Sequence, residues 1–172
     1  DMKTLIISSS LSIQSRSYIL CQNVAQILEK KKVSVEIVDA RKLDLKPYHN
    51  IITESMKSLK KKAGECDNII FGMGIHCYSI SDSLKIILDN CLEKVTGKFF
   101  GILCAAGGER SYLSTMHLTQ ICMNEWRMIQ LPRIVYATKK DFKENSISNN
   151  ELQERILLFS EDFYTLGKKI KS

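Results

Sequence analysis

The chain has 172 residues, 25 Lys and Arg against 19 Asp and Glu, a formal net charge of +6, 44% hydrophobic residues, six Cys and two Pro. That length predicts one domain over residues 1–172, large enough to bury about 70% of the surface its unfolded chain exposes. A charged fraction of 26% with abundant Ile, Leu and Val excludes a disordered chain. The longest apolar stretch, Phe99 to Ala106, falls far short of the roughly 20 residues of a membrane span, so no membrane partner is expected. Leu5-Ile6-Ile7 is too short an apolar run for a secretory signal, which predicts a soluble, cytoplasmic protein.

In chain order, Leu5 to Ser8 reads as a strand covered on both faces, followed by a serine-rich loop and a helix whose apolar face is Leu20, Val24, Ile27 and Leu28. Val33 to Ile37 alternates, as an edge strand with one wet face does. Ile52, Met56, Leu59 and Ala63 share the next helical face. Asn68 to Met73 is a second, almost continuously apolar strand. After a loop ending at a Ser81 cap, Leu84, Ile87, Leu88, Cys91, Leu92 and Val95 form a wide helical stripe. Phe99 to Ala105 is a third apolar strand. Ser111 to Gln130 is helical by length, with apolar residues nearly all round, a pattern of deep burial or of a subunit interface. Pro132 restricts Arg133 to Ala137 to an edge strand. Lys139 to Asn150 reads as a surface connection. Leu152, Ile156, Phe159, Phe163, Leu166 and Ile170 predict a helix over about 150–170, capped by Asn150 with Gln153. The alternation of strands and helices is that of a doubly wound α/β sheet.

In such a sheet, ligands bind beyond the carboxyl ends of the strands, and three loops gather there. The first, Ser8 to Ser17, carries six serines and Arg16. Helix N-terminal amides, hydroxyls and a guanidinium together make an anion site, with phosphate the expected occupant. The competing reading is that Ser15 and Ser17 only cap the helix. The second loop, Gly74 to Ser81, sets Ile75, His76, Cys77 and Tyr78 at the same edge, a mixture suited to a flat conjugated ring. The third, Ala105 to Ser111, holds Gly107 and Gly108, which allow a ligand close to the backbone or simply make a turn. There is no G-x-x-x-x-G-K-[ST] and no G-x-G-x-x-G, and Gly72-Met73-Gly74 is too incomplete to count as the latter. The cysteines contain no C-x-x-C pair, so no metal site is expected.

These loops resemble those of the NADPH-dependent FMN reductase family. The family's G-S-x-R-x-x-S-R-S aligns with Ser9 to Ser17, matching at Ser10, Ser15, Arg16 and Ser17, with serine for the glycine and for the first arginine. Its T-P-x-Y-x-x-x-x-S-x-x-L-K-x-x-[LI]-D aligns with Met73 to Asp89, matching at Ser81, Leu84, Lys85 and Asp89, with Gly74 and His76 in place of Pro and Tyr. Its paired glycines match Gly107 and Gly108. The resemblance implies a flavodoxin-like, five-stranded parallel sheet in the order 2-1-3-4-5 with helices on both faces. It implies an enzyme that takes hydride from NADPH or NADH to FMN and on to a flavin, quinone or azo acceptor. It also implies that Ser10, Ser12, Ser15, Arg16 and Ser17 hold the FMN phosphate, that Ile75, His76, Cys77 and Tyr78 border its ring, and that Gly107 and Gly108 line the other edge. Serine at position 12 removes one charge-assisted contact to the phosphate. No catalytic side chain is expected, because the cofactors carry the chemistry. A homodimer or dimer of dimers is the implied assembly.

The alternative is a non-catalytic FMN-binding protein of the same fold, acting as an electron carrier or sensor. A nucleic-acid partner is not expected despite a pI near 9.0, because the lysines cluster on helix faces and helix ends without interleaved aromatics. A receiver domain would need an Asp at the end of the strand over 68–73, and a serine hydrolase would need G-x-S-x-G; neither is present.

Overall fold

The computed structural model describes all residues, 1–172. Strand β1 (Lys3–Ser8) leads into helix α1 (Arg16–Lys30), then β2 (Ser34–Asp39), α2 (Glu54–Glu65), β3 (Asn68–Met73), α3 (Asp82–Cys91) and β4 (Phe99–Ala106). A 3-10 segment over Glu109–Thr115 precedes α4 (Met116–Trp126); β5 (Ile129–Gln130), β6 (Val135–Thr138), a short hairpin of β7 (Phe142–Lys143) and β8 (Ser146–Ile147), and α5 (Asn150–Lys171) complete the chain. All pairings in the main sheet are parallel, in the order β2-β1-β3-β4-β5, with β6 also on the outer side of β4. The expected five-stranded order is thus present, with its fifth strand in two pieces separated by Leu131 to Ile134.

The period of two in the strands sorts residues to the two faces. Leu5, Ile7, Ile69, Phe71, Phe100 and Ile102 pack on one side with Met56 and Leu59 of α2, Leu84 and Ile87 of α3, and Leu118 of α4. Ile6, Ile70, Phe99 and Leu103 face Leu20 and Val24 of α1 and Phe159 and Phe163 of α5 on the other. Phe163 stacks on Phe99 with ring centroids 4.9 Å apart. Each such fully buried aromatic contributes about 1.5–3 kcal/mol by leaving water.

Three helix boundaries depart from the sequence reading. The cap of α5 is Asn149, whose side chain accepts from the Glu151 amide, one residue before the expected Asn150. The segment 111–130 is not one helix: α4 covers only its middle, because Arg127 takes a left-handed conformation, φ 49°, and turns the chain back into the sheet. The helix expected to include Ile52 begins at Glu54, where Thr53 accepts from the Met56 amide. Ser81 caps α3 as expected, accepting from the Leu84 amide. No helix is long and apolar enough to cross a membrane.

Gly72, read from sequence as part of a weak dinucleotide signal, has a packing role. A Cβ there would lie 2.3 Å from Cys21 Sγ on α1. Any larger residue there would force the Cys21 thiol of α1 aside, so glycine suits the packing of α1 on β3.

Candidate active site

The loops after β1, β3, β4 and β6 meet at the carboxyl edge of the sheet. The first is bound to its neighbours by main-chain bonds: the Ser9 amide and hydroxyl both donate to the Gly72 carbonyl, at 3.0 and 2.8 Å, and Ser83 donates to the Ser9 carbonyl at 2.6 Å. Ser15 caps α1, accepting from the Tyr18 amide at 3.1 Å, and its hydroxyl lies 3.1 Å from that of Ser17. Ser10 accepts from the Ser12 amide at 3.2 Å, curling the loop back on itself. The amides of Arg16 and Ser17 have no acceptor in the protein, and the Arg16 guanidinium has no carboxylate partner.

Sequence reading missed a residue that shapes this loop. Arg41, just beyond β2, donates to the Ile13 carbonyl at 3.0 Å and to that of Ser12 at 3.4 Å. Its guanidinium is held by both oxygens of the nearly buried Asp39 and lies 4.6 Å from the Tyr18 ring centroid. Burial of Asp39 raises its pKa, but the hydrogen bonds and charge of Arg41 outweigh this and leave the carboxyl below its ordinary range. Arg41 is correspondingly pushed up, chiefly by its hydrogen bond to Asp39.

The second loop closes in a tight turn. The amides and carbonyls of His76 and Ser79 exchange two hydrogen bonds of 2.9 Å, and the two residues between them, Cys77 and Tyr78, both have positive φ, 49° and 57°. Left-handed conformations cost non-glycine residues about 1–2 kcal/mol each, so the turn spends stability to push a thiol and a phenol outward. His117 on α4 braces it, with Nδ1 2.9 Å from Ser79 Oγ.

The third loop is latched from below. Tyr136 on β6 donates to the Gly108 carbonyl at 2.5 Å, its oxygen lies 2.8 Å from Ser111 Oγ, and its ring meets Tyr112 edge-on. Around Gly107 and Gly108 there is nothing within 4 Å of where a Cβ would stand. The glycines thus keep one wall of a cavity free of side chains.

That cavity, about 500 Å³, lies between the second and third loops. Ile75, Cys77 and Tyr78 form one side and Gly107 and Gly108 the other, with Thr138 at the end of β6 and Lys140 just beyond it at the margin. The volume lies within the range of small-molecule sites. Of the sequence-predicted residues, Ile75, Cys77, Tyr78, Gly107 and Gly108 meet around it; His76 is exposed and is not in its lining; Ser10, Ser12, Ser15, Arg16 and Ser17 form the separate turn at the start of α1. Thr138, Lys140, Tyr136 and Arg41 were not predicted. No cluster of His, Cys, Asp and Glu is arranged to hold a metal. Four cysteines are buried and inert as thiolates, with burial pushing Cys21, Cys104 and Cys122 up to about 12 and Cys91 to about 11.

A parallel sheet in this order, flanked by helices on both faces, defines a flavodoxin-like fold. The family model of the NADPH-dependent FMN reductases matches residues 2–143, and the chain belongs to that family. It is therefore an oxidoreductase, with FMN as its cofactor and NADPH as electron donor. An FMN-dependent NADPH-azoreductase of Staphylococcus aureus (strain USA300) is 27% identical over 172 residues, covering 92% of this chain and 91% of that one. Among solved structures, the apo form of the NADH:FMN oxidoreductase EMOB superposes with a TM-score of 0.77 at 18% identity, over 94% of this chain and 89% of the other. A flavodoxin from the domain Archaea superposes with a TM-score of 0.68 at 16% identity, over 99% and 100%. These two likenesses are of fold.

Proposed function

We propose that the turn at the start of α1 holds the FMN phosphate and that the cavity beside it takes the isoalloxazine ring, for hydride transfer from a nicotinamide and onward to a flavin, quinone or azo compound. The observation that carries this reading is the cavity wall at Gly107 and Gly108, where a side chain would occupy the space a flat ring needs. The unpartnered amides of Arg16 and Ser17 supply donors for the phosphate, and the hydroxyls of Ser10, Ser12, Ser15 and Ser17 and the guanidinium of Arg16 complete the set. Each hydrogen bond to a charged group contributes on the order of 1.5–3 kcal/mol. Ile75, Cys77 and Tyr78, with His76 at the outer rim, would border the ring.

When bound, the flavin supplies the two-electron chemistry itself. The protein's part is geometric. The Tyr136 latch fixes the Gly107–Gly108 wall, the His76–Ser79 turn fixes the opposite side, and Arg41 fixes the curl of the phosphate turn. No side chain at the cavity is required as acid or nucleophile. Azo reduction is named by the Staphylococcus aureus relative and is the first acceptor class to test.

We further propose a single domain, a cytoplasmic location and a homodimer or dimer of dimers. For the last, α4 buries only Leu118 and Cys122 and leaves Met116 and Met123 half exposed, an apolar surface that a second copy would cover. The test of function is an FMN titration followed by flavin fluorescence, then NADPH oxidation with a quinone and an azo dye. FMN bound but never reduced by NADPH or NADH would leave only the carrier reading. Sedimentation showing monomer alone at micromolar concentration would remove the dimer.

A further inference from the structure

We propose that Arg110 and Lys140 form an anion subsite at the margin of the ring cavity, which takes the phosphate or sulfonate carried by the substrate that meets the flavin rather than the phosphate of FMN. This rests on the reading above that the cavity holds the flavin ring. Both residues line the cavity, one following β4 and the other following β6, so they approach it from adjacent strands. Neither is in an ion pair or hydrogen bond. Some surface cations are neutralised, as Arg133 is by Asp162 and Lys85 by Asp89, each at 2.7 Å; what sets Arg110 and Lys140 apart is that both face one concave cavity. Glu109 shares the lining, and two cations against one carboxylate still leave the margin positive. An uncompensated positive margin on a concave site raises the local concentration of anions. The guanidinium offers a fork and the ammonium a point charge, a combination suited to a tetrahedral oxyanion.

The position excludes the FMN phosphate as occupant. The serine turn follows β1, and β4 and β6 lie two and three strands away in the sheet, about 10 and 14 Å at the usual inter-strand spacing. One phosphate cannot use both places. A single open cavity must also serve electron donor and electron acceptor in turn. The anion that meets Arg110 and Lys140 is therefore either the extra 2′-phosphate that distinguishes NADPH from NADH, or an acidic group on an aromatic acceptor.

The test is isothermal titration of the whole protein at low ionic strength, with 2′,5′-ADP against 5′-AMP and with 2-naphthalenesulfonate against 2-naphthalenemethanol. The expected result is that at least one anionic probe binds about tenfold more tightly than its counterpart, the difference made by one or two charge-assisted contacts. Arg110→Gln combined with Lys140→Gln should erase that preference while FMN affinity, read by fluorescence, stays within about twofold. A preference for 2′,5′-ADP assigns the subsite to the dinucleotide, and one for the sulfonate assigns it to the acceptor. Equal binding of both pairs by the unaltered protein, a preference that survives the double change, or a parallel loss of FMN affinity overturns the proposal. Anion preference without FMN binding would instead overturn the flavin reading and leave the subsite standing.

Discussion

The hydroxyl of Tyr136 reaches from β6 to the carbonyl of Gly108, 2.5 Å away, and so ties the rim of the candidate site to an element of the sheet. Tyr136→Phe removes that bond and the contact with Ser111 while keeping the ring against Tyr112. The expected cost is about 1 kcal/mol, the net worth of a hydrogen bond whose partners are then left to water. Urea denaturation reads the stability and fluorescence titration the FMN affinity. Unchanged FMN affinity would mean that the wall does not need its latch.

Gly108 is extended, with φ −155° and ψ −178°, a conformation any residue adopts. Gly108→Leu should therefore leave the fold intact, since a Cβ there has nothing within 4 Å. It should lower FMN affinity at least about tenfold if the cavity is the ring site, by filling a volume that the ring requires. Normal melting with normal FMN binding would place the ring elsewhere.

The Asp39–Arg41 pair gives a pH dependence with a definite sign. A carboxyl whose folded pKa lies below its unfolded value, about 4, stabilises the fold above that value and loses the contribution as pH falls through the folded one. Asp39 is such a group. Stability should fall between about pH 4 and the lower folded value, and Asp39→Asn should flatten that part of the profile. Superimposable acid profiles for the two proteins would sink the assignment. Because Arg41 also holds the Ser12 and Ile13 carbonyls, Arg41→Met should weaken FMN binding severalfold without touching the cofactor.

Thiol reactivity should separate the cysteines cleanly. Cys77 alone is exposed, on the cavity lining, whereas Cys66 is half-buried and burial raises its thiol pKa. A disulfide reagent added to native protein should titrate one thiol rapidly and the rest only on unfolding. Cys77→Ser should abolish the rapid phase, and FMN should slow it. A rapid phase that survives the substitution, or that FMN leaves untouched, would show that this thiol does not border the ring site.

The periodicities of Leu152 to Ile170 and of the three apolar strands made the fold legible, and Ser81 marked its own helix start. Elsewhere the deciding forces were tertiary. Arg127 adopts the left-handed conformation that ends α4 without a glycine to announce it. Cys77 and Tyr78 make a turn usually built from Asn and Gly, so its geometry could not be read from their identities. The serine turn was visible as chemistry, but its brace, Arg41, comes from the end of another strand and is distant in sequence. Tyr136 and Lys140 were hidden for the same reason. Each lies in or beside a segment read only as an edge strand or surface connection, and its reach into the site exists only once β6 is docked on β4.

The division of the fifth strand bears on how molecules of this protein meet. A sheet margin exposes rungs on which a foreign strand can build, and here that margin is two pieces of only two and four residues, interrupted beside Pro132. Short, broken margins resist such extension. Copies of the chain that crowd together therefore have little template for fibre-like stacking at this side, and the one unbroken margin of the sheet is β2 at the opposite edge.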